Sequence, residues 1–164
     1  MNIFILDEDP KLSAEYHCNK HVVKMIVESC QLMSTALHEL NADADIIPYK
    51  STHVHHPCTI WTAESYSNFM WLHKLTEQLC KEYTNRYYKI HACEKFLPVF
   101  ARLADPSLFP MPNQPTAFVQ AMPDKYKIYG NAVNAYRNYY MGEKWYFAQW
   151  KNTTPSWWKG RLIV

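Results

Sequence analysis

The sequence predicts an all-α protein: a single compact helical domain over residues 1–164, with a short N-terminal extended segment and a proline-rich wrapping loop. Three observations indicate this fold. Apolar residues recur at spacings of three and four over long stretches, the pattern of one buried helical face. A length of 164 residues suits one domain. Six of the ten prolines lie between residues 98 and 123, so most periodic stretches are uninterrupted.

A short apolar run at residues 2–6 opens the chain, and we interpret it as a strand or an extended arm. Acidic residues and a proline at positions 7–10 favour a helix start, because negative charge stabilises the N-terminal end of a helix. We predict that this helix extends from about Lys11 to Leu40. Its buried stripe comprises Val22, Ile26, Cys30, Met33, Leu37 and Leu40.

Two further helices are predicted after a polar, irregular loop at residues 41–57. Pro57 suits the first turn of a helix, and the apolar periodicity extends that helix to about Tyr88. A shorter helix is predicted over residues 93–103, in which Pro98 marks a kink or a break.

The C-terminal third is predicted to contain an ordered loop and one more helix. Prolines exclude long regular structure between residues 105 and 123, whereas large apolar side chains there offer anchors that a disordered linker lacks. We therefore predict an ordered wrap or a lid. The last helix is predicted over residues 131–150.

The composition excludes several classes of protein. No apolar run approaches the roughly 20 residues that span a bilayer, and the N-terminus lacks the features of a secretory signal, so we expect a cytoplasmic protein and no membrane partner. With only three glycines, the chain has no glycine-rich loop of the kind that binds dinucleotides or nucleoside triphosphates. We expect no cofactor.

The cysteines and the net charge argue against two other kinds of site. The cysteines are odd in number and form no CxxC pair, so we expect free thiols rather than disulfides or a thiolate zinc site. A net charge of +2 does not by itself indicate nucleic-acid binding, which requires a local basic patch. The cysteines are Cys18, Cys30, Cys58, Cys80 and Cys93.

The first candidate catalytic group lies on the N-terminal helix. His21, Lys24 and Glu28 follow one another at spacings of three and four, so they share a helical face, with Lys20 at its border as a substrate-binding candidate. A carboxylate one turn from an amine can tune the amine, stabilise a cation or act as a base. The alternative is a surface salt bridge worth about 0.3–0.5 kcal/mol.

The second candidate group is the histidine cluster before Pro57. His56 is a catalytic candidate there, and Thr52, His53 and His55 are substrate-binding candidates, because helix N-termini favour anions and imidazoles can donate or transfer protons. Structural histidines that cap the loop are an alternative. A metal site is disfavoured, because adjacent histidines diverge and no zinc-binding spacing is present. We expect this loop and the Glu28 face to line a common cavity.

Further substrate-binding candidates lie on the later helices. Trp61, Glu64 and Asn68 form a polar and aromatic stripe, which continues to Trp71. Cations alternate with aromatic rings in the C-terminal third, as a nucleic-acid groove requires, although a helical packing seam explains the rings equally well. The candidates in that region are Arg137, Tyr140 and Lys144.

These motifs resemble a known family. The order of the matching segments is similar to that of pyrimidine-dimer DNA glycosylases of the endonuclease V type, over roughly residues 1 to 90. The segments are Asn2-Ile3-Phe4, Asn19-Lys20-His21-Val22-Val23-Lys24-Met25-Ile26-Val27-Glu28, His56-Pro57 followed by Trp61, and Glu82-Tyr83. The whole chain also resembles uncharacterised bacteriophage proteins, which implies the host cytoplasm as its location.

The resemblance implies an all-α fold, a DNA substrate, base flipping, and attack on the deoxyribose C1′ by an amine to give a Schiff base. A glutamate then assists strand cleavage by β-elimination, and Glu28 is the match for it, with Glu15 as the alternative. The family exposes its nucleophile by removing the initiator methionine before a small residue. Here Asn2 favours retention of Met1, so Lys24 is a second candidate nucleophile.

Three other functions are compatible with the sequence. One is a nucleotide-directed hydrolase or phosphodiesterase that uses the histidine cluster. Another is a non-catalytic phage protein that binds nucleotides or a host protein. A metal-dependent nuclease is the third. The recognised base or lesion, and the oligomeric state, are not specified by these motifs.

Overall fold

Six α-helices and three short 3-10 helices make up the regular structure of the computed structural model, which describes residues 1–164. The prediction of an all-α fold is confirmed. None of the helices is both long and apolar enough to span a membrane. The α-helices are α1 (Pro10–Tyr16), α2 (Asn19–Glu39), α3 (Pro57–Glu64), α4 (Tyr66–Tyr87), α5 (Leu97–Leu103) and α6 (Ala132–Glu143), and the 3-10 helices are Ala92–Phe96, Pro106–Leu108 and Asp124–Tyr126.

The N-terminal arm, residues 2–6, has no regular secondary structure and pairs with no strand. Its four apolar side chains, from Ile3 to Leu6, are at most 4% exposed. Ser13 of α1 makes hydrogen bonds to the arm's backbone in place of a neighbouring strand. Its hydroxyl donates to the Phe4 carbonyl and accepts the Leu6 N–H, each at 3.1 Å. The arm is therefore part of the core.

The predicted helix from Lys11 to Leu40 is wrong in one respect, because the chain breaks it at His17 and Cys18, which are both extended. The break is stabilised from outside. The buried Arg86 of α4 donates to the carbonyls of His17 and Glu15, at 2.8 and 3.0 Å. These carbonyls at the end of α1 have no partner within the helix, so the guanidinium satisfies them.

The predicted helix from Pro57 to about Tyr88 is also divided, at Ser65, whose φ of −144° and ψ of 138° are extended. Its hydroxyl oxygen caps α4 by accepting the Asn68 N–H at 3.3 Å. The neighbouring backbone of Tyr66 donates to the Met111 carbonyl at 3.0 Å. The break therefore exposes backbone groups to which the proline-rich segment binds.

The proline-rich segment is an ordered wrap, as predicted. Phe109 is buried at its start, and further along it the Ala117 carbonyl accepts a hydrogen bond from the Trp61 indole at 3.0 Å. Near its end the Ala121 carbonyl accepts the Asn2 side chain at 2.8 Å, so the wrap crosses the N-terminal arm. The last helix, α6, ends at Glu143 rather than at the predicted residue 150.

Two buried histidines lie in an aromatic cluster around Phe4. His21 stacks on Phe4 with 4.5 Å between ring centroids, and its Nδ1 lies 2.6 Å from the Tyr140 hydroxyl. His17 Nδ1 lies 2.6 Å from the Ser13 carbonyl and must donate to it, which leaves the buried Nε2 without a partner. Burial lowers the pKa of His17 to about 4 and that of His21 to about 2, so both rings are neutral near pH 7.

We expect Arg86→Met to lower the free energy of unfolding by about 3–5 kcal/mol, because it removes the ion pair with Glu82 and leaves the buried His17 carbonyl without its donor. Urea unfolding measures the effect. Lys74→Met is the control, since Lys74 is half exposed and pairs only with Glu77. We expect this control to change stability by less than about 1 kcal/mol. Equal losses in the two variants would contradict the bridging role of Arg86.

We expect stability to fall as the pH drops below about 6.5, where histidines of an unfolded chain bind protons. The folded state binds these protons only near pH 4 at His17 and near pH 2 at His21. Between the unfolded and the folded pKa, each histidine therefore lowers the free energy of unfolding by up to about 1.4 kcal/mol for each pH unit of acidification. Urea unfolding between pH 7 and 4 should show a shallower pH dependence for His21→Phe. The same slope as in the wild type, or a similar change in the surface control His55→Gln, would exclude this origin.

Candidate active site

Glu28 lies between two amines. Its Oε2 is 3.7 Å from the N-terminal nitrogen of Met1, and its Oε1 is 3.4 Å from Lys24 Nζ, one helical turn earlier on α2. Oε2 also accepts the Asn2 backbone N–H at 3.1 Å. The Glu28 side chain is 14% exposed and that of Lys24 is 69% exposed. The arm and α2 thus place an acid and two candidate nucleophiles at one point.

Asn2 connects this group to the rest of the protein, and it was not among the predicted site residues. Its Nδ2 donates to the Ala121 carbonyl at 2.8 Å, and its Oδ1 lies 3.1 Å from the Tyr136 hydroxyl. The same Oδ1 accepts the Cys58 thiol at 3.7 Å, and burial raises the pKa of that thiol to about 12. The thiol therefore keeps its proton and acts as a donor.

His56 belongs to the same electrostatic environment. It caps α3, and its Nδ1 accepts the Cys58 N–H at 3.0 Å, so the proton of the neutral ring is on Nε2. Burial lowers the pKa of His56, and the positive charges of the N-terminal amine and of His53 lower it further. The Glu28 carboxylate acts in the opposite direction. His56 is thus a neutral donor near pH 7.

The expected common cavity between the Glu28 face and the histidine loop does not coincide with any of five cavities on the surface. Five cavities of about 400 to 550 Å³ open on the surface, and Glu28 and His56 line none of them. The arm explains this, because Asn2 contacts both Glu28 on α2 and Cys58 on α3. The space between these two helices is occupied by the start of the chain.

His21 does not share the environment of Glu28, although both were predicted to lie on one catalytic face. Its side chain is 5% exposed and packs inward among Phe4, Tyr140 and Phe147. Tyr140, a predicted substrate-binding residue, is fully buried in the same cluster. The arm supplies the aromatic partner that turns His21 toward the core.

The other predicted residues of the histidine loop lie on the surface. His53 and His55 are exposed, and His53 adopts a positive φ of 52°. Thr52 binds Thr35 of α2 through its backbone N–H and carbonyl, both at 3.1 Å, and its hydroxyl lies 2.9 Å from His53 Nδ1. His53 and His55 are therefore accessible to solvent on the loop that leads to His56.

The stripe of Trp61, Glu64 and Asn68 anchors the proline-rich wrap. The Trp61 indole binds the Ala117 carbonyl, as described above, and Glu64 accepts the Thr116 hydroxyl at 2.8 Å. The buried Asn68 side chain donates to the same hydroxyl at 2.7 Å and accepts the Thr116 N–H at 3.0 Å. The polar atoms of the stripe are therefore engaged within the protein.

Arg137 is likewise engaged internally. Its Nε donates to the Leu6 carbonyl at 2.9 Å, its Nη2 pairs with Asp7 at 3.2 Å, and its guanidinium lies against the rings of Tyr16 and Trp157. This cation holds the end of the arm.

Three lysines remain available on the surface near α2. The charges of Lys24 and Lys144 both act on His21, and Lys20 Nζ lies 5.3 Å from the centre of the Phe147 ring, which packs on His21. Lys144 Nζ lies 5.1 Å from the centre of the Tyr139 ring. The three lysines thus lie around His21, and Lys24 is the one that contacts Glu28. No group of three or more histidine, cysteine or acidic side chains is arranged to hold a metal ion.

A family model described as pyrimidine dimer DNA glycosylase matches residues 1–95, which is more than half of the chain. The matched residues include the arm, Lys24, Glu28 and His56. No curated protein and no solved structure matches the chain. The match confirms the resemblance found in the motifs and supports a DNA glycosylase function. The chain belongs to the pyrimidine dimer DNA glycosylase family.

Proposed function

We propose that the protein is a DNA glycosylase with lyase activity, in which an amine held beside Glu28 attacks C1′ of a damaged nucleotide. One observation carries the proposal: the Glu28 carboxylate lies within 3.7 Å of the N-terminal amine and within 3.4 Å of Lys24 Nζ. Amine and carboxylate are the two groups that Schiff-base chemistry on a sugar requires.

The proposed reaction begins when the unprotonated amine forms a bond to C1′ and the bond from C1′ to the base breaks. The electron pair of that bond leaves with the base, which takes up a proton. The C1′–O4′ bond of the adduct then breaks, O4′ takes up the proton that the attacking nitrogen loses, and a cationic Schiff base forms, whose charge the Glu28 carboxylate stabilises. The Glu28 carboxylate then accepts a proton from C2′, and the 3′ phosphate departs with the electron pair of its C3′–O bond by β-elimination. Water finally hydrolyses the Schiff base and regenerates the amine.

The α-amino group is the preferred nucleophile. Free α-amines titrate near 7.7–8.0 and lysine side chains near 10.4, so an α-amine has the larger unprotonated fraction at neutral pH. The geometry accommodates either form of the N-terminus. With Met1 retained, its nitrogen is 3.7 Å from Glu28, and with Met1 removed, the Asn2 nitrogen already lies at 3.1 Å. Lys24 is the second candidate.

Binding of the DNA strand is assigned to the groups around this point. His56 can donate its Nε2–H to a phosphate or leaving-group oxygen, and Thr52, His53 and His55 border it on the same loop. Lys20, Lys24 and Lys144 supply positive charge for the phosphate backbone on the α2 side. Tyr140 and Asn68 are assigned no contact with DNA, because both are buried.

Borohydride trapping on duplex DNA with an abasic site tests the proposal. Reduction of the Schiff base should give a covalent adduct, and peptide mapping should place it on the N-terminal residue. An adduct on Lys24 would assign the nucleophile to the side chain instead. A protein that binds the duplex and forms no adduct would contradict the lyase mechanism, and a non-catalytic binder would then fit better.

Glu28→Gln should reduce the rate of adduct formation and strand cleavage by about 100-fold or more, because acid–base catalysis typically contributes 10²- to 10⁴-fold. Stability should change little, since glutamine can still accept the Asn2 N–H. Glu77→Gln is the control, because Glu77 lies in a surface ion pair with Lys74. Single-turnover kinetics measure both variants. An unchanged rate in Glu28→Gln would remove Glu28 from the mechanism.

DNA binding should weaken as salt concentration rises. Each phosphate contact contributes a slope of about 0.9 in a plot of log affinity against log salt concentration, so Lys144→Gln should reduce the slope by about that amount. Lys74→Gln, on α4 and paired with Glu77, should leave the slope unchanged. Fluorescence anisotropy with a labelled duplex measures the slopes. Identical slopes in the wild type and Lys144→Gln would exclude Lys144 from the DNA interface.

A further inference from the structure

We propose that Tyr136 is a positioning residue, which holds the side chain of Asn2 so that the α-amine stays beside Glu28. The inference rests on the proposed function. It assigns a role in the reaction to α6 and to the wrap, which both lie beyond the residues 1–95 that the family model matches.

The Asn2 carboxamide is held at both of its ends. Its Nδ2 donates to the Ala121 carbonyl at 2.8 Å. Its Oδ1 accepts from the Tyr136 hydroxyl at 3.1 Å, from the Ile3 N–H at 2.8 Å and from the Cys58 thiol at 3.7 Å. Few rotamers can satisfy these partners together, so the position of the first peptide unit is fixed.

The Tyr136 hydroxyl is itself held in place. It is buried with its ring, accepts the Ala121 N–H at 3.1 Å, and lies 3.0 Å from the Val119 carbonyl. The hydroxyl has one proton, which the Asn2 Oδ1 and the Val119 carbonyl share as acceptors. Burial raises the pKa of Tyr136, so the hydroxyl keeps this proton near pH 7. The Tyr136 ring also contacts Phe4 of the arm, with 5.9 Å between centroids.

The hydroxyl therefore joins the wrap to the arm at the residue whose N–H binds Glu28. Without it, Asn2 would keep its hydrogen bonds to Ala121, Ile3 and Cys58 but lose the one to α6, and the amine could move relative to the carboxylate. A displacement of about 1 Å at a reacting group can cost about 100-fold in rate, because the reacting atoms must be aligned for attack. The cost should appear in the chemical step and not in DNA binding.

Tyr136→Phe tests this role, since it removes only the hydroxyl. Single-turnover borohydride trapping on abasic duplex DNA should be about 10- to 100-fold slower than in the wild type, with an unchanged Kd for the duplex. Tyr126→Phe is the matched control. Tyr126 is also buried, and its hydroxyl donates to Glu143 at 3.0 Å, away from the arm. We expect the wild-type trapping rate in this control.

Asn2→Leu provides a second, independent variant, because it keeps the number and branching of the side-chain heavy atoms, retains Met1 and removes every acceptor and donor of the carboxamide. It should slow trapping to a similar extent, and the double variant should be no slower than either single one. Mass spectrometry of the intact proteins records the N-terminus of each.

The outcomes distinguish the proposed function from the positioning role of Tyr136. A wild-type protein that forms no adduct overturns the proposed function. A wild-type adduct together with an unchanged rate in both Tyr136→Phe and Asn2→Leu overturns the positioning role alone. Slower trapping accompanied by an equal loss of DNA affinity, or matched by Tyr126→Phe, also overturns it, since general destabilisation would then explain the rate.

Discussion

Burial of the N-terminal arm is the constraint on which the site depends. The side chains from Ile3 to Leu6 are at most 4% exposed, and each buried side chain of this type contributes about 1.5–3 kcal/mol. Ser13 and Arg137 bind the arm's backbone at Phe4 and Leu6. Because the arm is fixed along its whole length, the first nitrogen of the chain lies at one defined place, beside Glu28. A free terminus would lose that arrangement to conformational entropy.

Different parts of the chain supply different components of the site. Helix α2 supplies Glu28 and Lys24, the arm supplies the amine, and α3 presents His56 at its first turn. The wrap and α6 contact the arm through Ala121 and Tyr136. The segment that the family model matches thus contains the proposed reactive groups, and the remainder of the chain contacts the arm that carries the amine.

The periodicity of apolar residues predicted where helices lie, and the spacing of Lys24 and Glu28 predicted their contact, because both depend on local geometry. The breaks at His17 and Ser65 were missed, since each is stabilised by groups distant in sequence, such as Arg86 and the Met111 carbonyl. His21 was expected beside Glu28 because its spacing fits, but Phe4 stacks on it and holds it in the core. The contacts of Asn2 with residues 121 and 136 join segments that are far apart in the sequence, so no local pattern predicts them.

The buried arm also determines how the protein can be handled. A purification tag fused to the N-terminus would convert the α-amine into an amide. The added residues would also have to reach the surface through the space beside Glu28 that Met1 fills. The opposite end is suited to a tag, because Ile163 and Val164 are 83% and 65% exposed. In the proposed mechanism, a preparation with an uncleaved N-terminal tag therefore lacks the preferred nucleophile.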